Sequence, residues 1–278
     1  MKRADIAILP AGQFSRATLT ALWNRAYEGY FVPVAFDEQR FARHLRRADV
    51  ELGLSRVLTA GGEPAGLSLV GQRDARAYLA GFGIVRAQRR RGLARLLMEV
   101  QLAALPAAGV REVVLEVIEQ NPARLLYGHA GFEALRLLEL LSGTLDGQAA
   151  DAAALGPADL AAVHARCSAI ALPTWRRELP TLMDALTQEN AAAVGVRRGD
   201  GLVGYAVLPE QARHDGTLLD AAAVDEAAAH SLLDVLSSAR PGTRWRLVDE
   251  PGGSPFFGAA RARGLMPVMR QIEMKRVF

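Results

Sequence analysis

Cysteine is almost absent from this chain: Cys167 is the only one among 278 residues. That count excludes an intramolecular disulfide and a cysteine-based metal cluster. Histidine is nearly as sparse. His44, His129, His164, His214 and His230 are scattered, with no His-x-His or His-x-x-x-His pair, so a dedicated zinc site is not expected. A large excess of one charge is missing too. The formal net charge is +3, and basic character must act locally where it acts at all. No run is long and apolar enough to span a bilayer. The opening MKRADIAILPAG starts positive, but Asp5 interrupts it and Pro10 closes a short apolar stretch, so it does not read as a signal peptide. A cytoplasmic protein is the expectation. What is present is 50% hydrophobic and 23% charged, enough for one large domain or two moderate ones, each with its own core.

The clearest seam is DGQAADAAALGPADL at 146–160, rich in small residues, Asp and Gly, with Pro157 suited to the first turn of the next helix. It divides the chain into 1–145 and 146–278. Upstream, apolar periodicity predicts helices over 15–30 and 38–47, with Leu19, Leu22, Trp23 and Ala26 on one face of the first. Strands follow at 55–60 and 65–72 around a Gly-Gly-Glu turn, then at 77–85. A helix over 92–105 would bury Leu93, Leu96, Leu97 and Val100. A strand at 113–118, a short helix at 122–129 and a strand at 135–141 close this half. Downstream the same order recurs: two helical stretches in 158–189, then strands at 191–197, 202–208 and 217–224. A helix at 226–238, a strand at 244–248, a short helix at 255–263 and a last strand reaching 274 complete it. SPFFGAARARGL (254–265) parallels NPARLLYGHAGF (121–132) by pattern rather than identity. Chance likeness between two α/β domains is the competing reading. The fold class expected is α/β with a mixed α+β sheet, in two tandem domains.

The densest positive charge falls in FGIVRAQRRRGLAR (82–95), where a strand gives way to a helix. A helix start leaves N–H groups without partners, at the positive end of the helix dipole, and so attracts anions. Glycine at Gly92 and small Ala94 would let a phosphate approach the backbone. Arg89, Arg90 and Arg91 would add charge and donors around Gly92, Leu93 and Ala94. A solvated turn and a nucleic-acid patch are the alternatives, the latter without aromatic partners for stacking. A P-loop ending in Gly-Lys-Ser/Thr is absent, and Gly81-Phe-Gly83 lacks the third glycine of a dinucleotide fingerprint.

Arg89-x-x-Gly92-x-Ala94 resembles the Gln/Arg-x-x-Gly-x-Gly/Ala signature of the GCN5-related N-acetyltransferase (GNAT) superfamily. LEVIEQNPARLLYGHAGF (115–132) is similar to that superfamily's following strand, its Asn and its Tyr-x-x-x-Gly-Phe ending. The resemblance covers 1–145 by motif and 150–278 by order of elements. It implies acetyl-CoA as co-substrate, with its pyrophosphate on the Arg89–Ala94 turn. The pantetheine arm would lie between the strands ending near Ile84 and starting near Val113, bonded by the backbone of Gly83, Ile84 and Val85. Asn121 has two readings, a contact to that arm and a cap on the helix opening at Pro122.

Acetyl transfer to an amine needs a neutral amine and a proton for the departing thiolate. In family terms Tyr127 matches the general acid, and packing beneath the helix is its other reading. Glu116 resembles the glutamate used as base by ribosomal-protein alanine acetyltransferases, and a surface carboxylate paired with an arginine is the alternative. Glu28 is a second candidate base, and His129 is expected on an exposed helix face. In the second half, Asp225 and Glu226 replace the Arg/Gly turn, and Ala260 stands where Tyr127 does. This half therefore resembles the silent copy of tandem acetyltransferases and is expected to hold no cofactor. The function implied is acetyl-CoA-dependent N-acetyl transfer to a primary amine of a small molecule or peptide, without metal, nucleic acid or membrane. A CoA-binding regulator that transfers inefficiently is the alternative.

Overall fold

A computed structural model describes residues 6–145, 147–148, 150–209 and 216–278. His214, and Asp146 and Ala149 of the expected seam, lie outside the described residues. The architecture is mixed α/β, as expected, and divides into two compact units. Unit 1 is Met1–Leu135 with Glu273–Phe278, and unit 2 is Arg136–Ile272. The division thus falls at 135/136 and 272/273 rather than at 145/146. The strand Glu133–Thr144 runs through the first boundary without a break, and the strand Met266–Val277 carries the chain back through the second.

Unit 1 contains β1 (Ile6–Pro10), α1 (Arg16–Ala26), α2 (Glu38–Arg47), β2 (Arg56–Ala60), β3 (Glu63–Arg73), β4 (Arg76–Ile84), α3 (Leu93–Ala104), β5 (Glu112–Ile118) and α4 (Ala123–His129). β1 was not anticipated; it pairs antiparallel with β2. Local chemistry sets the helix starts. Ser15 accepts from the Thr18 N–H and Asp37 from the Arg40 N–H, each filling an orphan donor of a first turn. Leu19, Leu22, Trp23 and Ala26 form the buried face of α1. Gly81 is required beneath it, because a Cβ there would lie 2.4 Å from Trp23 Cζ3. On α3 the buried stripe is Leu97, Met98, Gln101 and Leu102. Leu96 and Val100, expected in that stripe, are on the exposed side.

Strands β1 to β4 are antiparallel, and β5 joins parallel to β4. The β4–β5 pairing covers only Arg76–Tyr78 against Glu112–Val114. Just beyond it, Leu69 opposes Gly81 while Val70 opposes Leu79, so Ala80 is an extra residue in β4. Such a bulge bends its strand. From there β4 follows β3, and its other edge opens toward β5.

Unit 2 begins within β6 (Glu133–Thr144) and continues with β7 (Ala153–Ala154), α5 (Pro157–Ser168), α6 (Leu179–Gln188), β8 (Ala192–Arg198) and β9 (Gly201–Leu208). β10 (Thr217–Leu218), β11 (Asp220–Ala223), α7 (Glu226–Ala239), β12 (Arg244–Pro251), α8 (Pro255–Ala262) and β13 (Met266–Val277) follow. Pro157 occupies the first turn of α5, where its missing N–H costs nothing. The single strand expected at 217–224 is broken at Leu219: β10 pairs with β12, and β11 with β9. Leu232, Leu236, Trp245 and Leu247 belong to one apolar core, and Leu160, Leu182 and Tyr205 to another. No helix among the described residues is long and apolar enough to cross a membrane. No group of three or more His, Cys, Asp or Glu side chains among them is placed to hold a metal.

Candidate active site

The open edge of β4 forms one wall of a cleft of about 620 Å³ inside unit 1. That volume falls in the range of sites for drug-sized ligands. Val85 donates its N–H to Ala65 of β3, so alternation along the antiparallel pair also commits Gly83 to β3. The groups that face the gap are therefore those of Phe82 and Ile84. This shifts the expected edge by one residue and removes Gly83 and Val85 as backbone partners. Side chains cover the edge: Tyr27 Oη accepts from the Phe82 N–H at 3.2 Å, and Arg89 Nε donates to the Ile84 carbonyl at 2.9 Å. His44 Nε2 lies 3.0 Å from the carbonyl of the bulged Ala80.

The arginine turn closes one end of the cleft. Arg90 and Gly92 both have left-handed backbone, φ +60° and +78°. Gly92 is the N-cap of α3 and offers no side chain, and nothing lies within 4 Å of where its Cβ would be. The first helical bond runs from the Leu96 N–H to the Gly92 carbonyl, which leaves the preceding N–H groups without intrahelical acceptors. Arg90, Gly92, Leu93 and Ala94 line the cleft, as do Gly83, Ile84, Arg89 and Asn121. Arg91 and Val85 do not. Arg91 Nη1 donates to Gln88 Oε1 at 2.5 Å.

Arg89 has a structural task that its place in the motif did not imply. Besides Ile84, its Nη2 donates to the Ala26 carbonyl at 2.8 Å. Through Nε and Nη2 the guanidinium thus ties the end of α1 to the end of β4 while lining the cleft. The features suited to an anion are the bare helix start, Arg90, and Arg95, which lines the cleft while its Nε donates to Glu99 Oε1 at 2.7 Å.

At the other end, aromatic rings crowd the gap. Tyr27 and Tyr30 meet edge-on at 5.2 Å, and Tyr127 meets Phe82 edge-on at 6.2 Å and Phe132 at 5.9 Å. Tyr127 is buried. Burial first, then the neighbouring Tyr27 and Tyr30, push its phenol well above the ordinary tyrosine range. Asn121 divides its functions: Oδ1 accepts from the Ala123 N–H at 2.9 Å, capping the following helix, while Nδ2 points to Tyr30 Oη at 3.5 Å. Glu116 sits half-buried on β5, where Tyr78 donates its hydroxyl to Oε2 at 2.6 Å. Neither Glu116 nor Tyr127 lines the cleft itself. His129 and Glu28 are exposed.

Tyr27, Tyr30, Phe31 and Phe82 are the cleft residues that the sequence reading left without a task. Their signal was density: in a chain only 6% aromatic, three of them fall within 27–31.

Residues 16–132 match the family model described as acetyltransferase (GNAT) family. No curated protein matches the chain. Among solved structures, a tandem GNAT protein from the clavulanic acid biosynthesis pathway aligns over 98% of this chain and 98% of its own, with a TM-score of 0.68 at 14% identity. A GCN5-related N-acetyltransferase from Sphaerobacter thermophilus aligns over 98% and 95%, TM-score 0.66, 15% identity. One from Anabaena variabilis aligns over 98% and 72%, TM-score 0.67, 15% identity. At such identities these likenesses speak for the fold. Residues 16–132 thus carry the match to the acetyltransferase (GNAT) family, and the chain as a whole shares its fold with a tandem GNAT protein.

Proposed function

We propose that unit 1 binds acetyl-CoA and transfers its acetyl group to a primary amine of a small molecule or peptide. The observation that carries this reading is the union, in one 620 Å³ cleft, of an uncapped helix start with a strand edge that β5 leaves unpaired. The two ends suit the two ends of the ligand. Pyrophosphate oxygens fit N–H groups at Gly92, Leu93 and Ala94, where no side chain obstructs them. A linear amide-bearing arm fits the Phe82 and Ile84 edge, with Asn121 Nδ2 and the faces of Tyr30 and Phe31 beside it. When bound, acetyl-CoA supplies an activated thioester acetyl.

The chain's own residues then have two tasks. Glu116, held by Tyr78, takes a proton from the incoming amine, directly or through water. Tyr127 presents a phenol that stays protonated at neutral pH and donates a hydrogen bond toward the departing sulfur. The burial that raises the Tyr127 pKa favours the regulator reading to this extent: a phenol so reluctant to ionise is a weak acid for full proton transfer. Calorimetry with acetyl-CoA, followed by a thiol-release assay over peptides, polyamines, aminoglycosides and small metabolite amines, tests both. Binding with acetylation of one amine class supports transfer. Tight binding with no acetylated product supports the regulator, and absence of binding refutes both.

A further inference from the structure

Unit 2 repeats the strand geometry of the cleft with the opposite outcome. β10 runs parallel to β12, Thr217 against Arg246 and Leu218 against Leu247, as β4 does to β5. The chain then turns away at Leu219, and β11 pairs with β9. A gap follows between β11 and the end of β12, and Arg177 fills it. Its Nη2 donates to the Ala221 carbonyl at 3.0 Å on one side, and its Nη1 to the Asp249 carbonyl at 2.9 Å on the other. Nε reaches Asp220 Oδ1 at 2.6 Å, and Nη1 also reaches Glu250 Oε2 at 2.5 Å. Tyr205 donates to Asp220, and Ser254 to Glu250.

Arg177 is 5% exposed, Asp220 1% and Glu250 0%. A charge so deeply buried is tolerated only when its donors are met. Burial opposes the charge on Arg177, but Asp220 and Glu250 outweigh it and hold the guanidinium above the ordinary arginine value. The space left beside this cluster is about 20 Å³, room for one water, against 620 Å³ in unit 1.

The other end is closed as well. Where α3 starts at a bare glycine, α7 starts at Asp225, whose Oδ1 accepts from the Ala228 N–H at 2.8 Å. Arg198 grips the same carboxylate with two bonds, at 2.8 and 2.9 Å. The helix start already holds an anion of its own.

We propose that unit 2 is a self-liganded copy of the cleft. Arg177 stands where the acyl-carrier arm enters unit 1, and Asp225 stands where its phosphates bind, so the chain carries one cofactor site. This rests on reading the β4–β5 gap as the cofactor cleft. Chemical rescue is the direct test. Arg177→Ala leaves Asp220 and Glu250 buried without their cation and is expected to lower the folding equilibrium constant about 10²–10³-fold. Millimolar methylguanidinium should restore the unfolding midpoint, and methylamine or sodium chloride at equal concentration should not. An unchanged midpoint, or rescue by any salt alike, overturns Arg177 as resident occupant.

Hydrogen exchange on the wild-type chain covers the case in which the variant does not fold. Added CoA should protect amides within 82–96 and leave 220–228 and 247–251 unchanged. Protection in those unit 2 segments, or two sites per chain by calorimetry, overturns the proposal. Absence of CoA protection anywhere refutes the cleft reading of unit 1 instead, and the rescue result then decides the role of Arg177.

Discussion

Arg89 offers the sharpest test of how the cleft is built. Its guanidinium bridges the Ile84 and Ala26 carbonyls with bonds of 2.9 and 2.8 Å, fixing the end of α1 against the end of β4. Bonds from a charged donor contribute about 1.5–3 kcal/mol each when fully sheltered. The Arg89 side chain is exposed overall and water in the cleft can reach the carbonyls, so the pair is worth less than that sum. Arg89→Met should therefore destabilise unit 1 by about 1–2 kcal/mol in urea unfolding and also weaken CoA binding, because the cleft walls loosen. Arg89→Lys should not restore either property, since one ammonium cannot span two carbonyls as a planar fork does. Arg90→Met is the control: it should leave stability unchanged within about 0.5 kcal/mol and lower affinity more at low salt than at high. If Arg89→Met kept full stability and lost affinity with the same salt dependence as Arg90→Met, the arginine would be a phosphate ligand and the strap argument would be wrong.

Four other outcomes follow from the same geometry. Gly92→Ala should cost stability by about 1 kcal/mol for its left-handed backbone, with no clash, whereas Gly92→Glu should also abolish CoA binding by placing a carboxylate at the anion site; equal calorimetric affinities would refute the cradle. Tyr127→Phe should lower turnover about 10²–10³-fold, as for loss of one donor to developing charge, with little change in CoA affinity, and full turnover would make Tyr127 a packing residue. Because the folded phenol titrates above its unfolded value, Tyr127 favours folding below about pH 10 and loses that contribution as pH rises further, so Tyr127→Phe should flatten the alkaline limb of the stability curve. Glu116→Gln should reduce turnover with CoA binding intact, and Tyr78→Phe should produce a smaller loss in the same parameter; a fully active Glu116→Gln would remove Glu116 as base.

Much of the fold was legible because its punctuation is local. Ser15 and Asp37 mark helix starts, Gly61-Gly62 marks a hairpin, and Pro157 opens α5, each through chemistry that needs no distant partner. The arginine turn was legible for the same reason. What stayed hidden depends on neighbours far along the chain. Nothing in LAGFG marks Ala80 as the bulge that parts β4 from β5. The strap role of Arg89 stayed hidden because the Ala26 carbonyl lies 63 positions away in sequence. Arg177 stands beside Arg176 in WRRE with no local sign of burial, and its acceptors come from β11 and β12. The α3 stripe was misplaced because leucines occupy both faces of that helix, and periodicity alone does not choose between them.

The covered edge of β4 also constrains where affinity comes from under the proposed function. An arm that pairs with Phe82 does not meet an empty donor: Tyr27 already accepts from that N–H. Binding there exchanges one hydrogen bond for another, and such an exchange yields about 1 kcal/mol or less. The Ile84 carbonyl likewise is already served by Arg89. The edge therefore selects a ligand of the right shape without holding it tightly. Most of the binding free energy must arise at the bare start of α3 and along the apolar walls contributed by Tyr30, Phe31 and Leu126. Truncating CoA to its pantetheine arm should accordingly remove most of the affinity, whereas the phosphate-bearing nucleotide half should retain a measurable share in competition calorimetry. The reverse ranking would mean that the strand edge, and not the helix start, is the principal anchor.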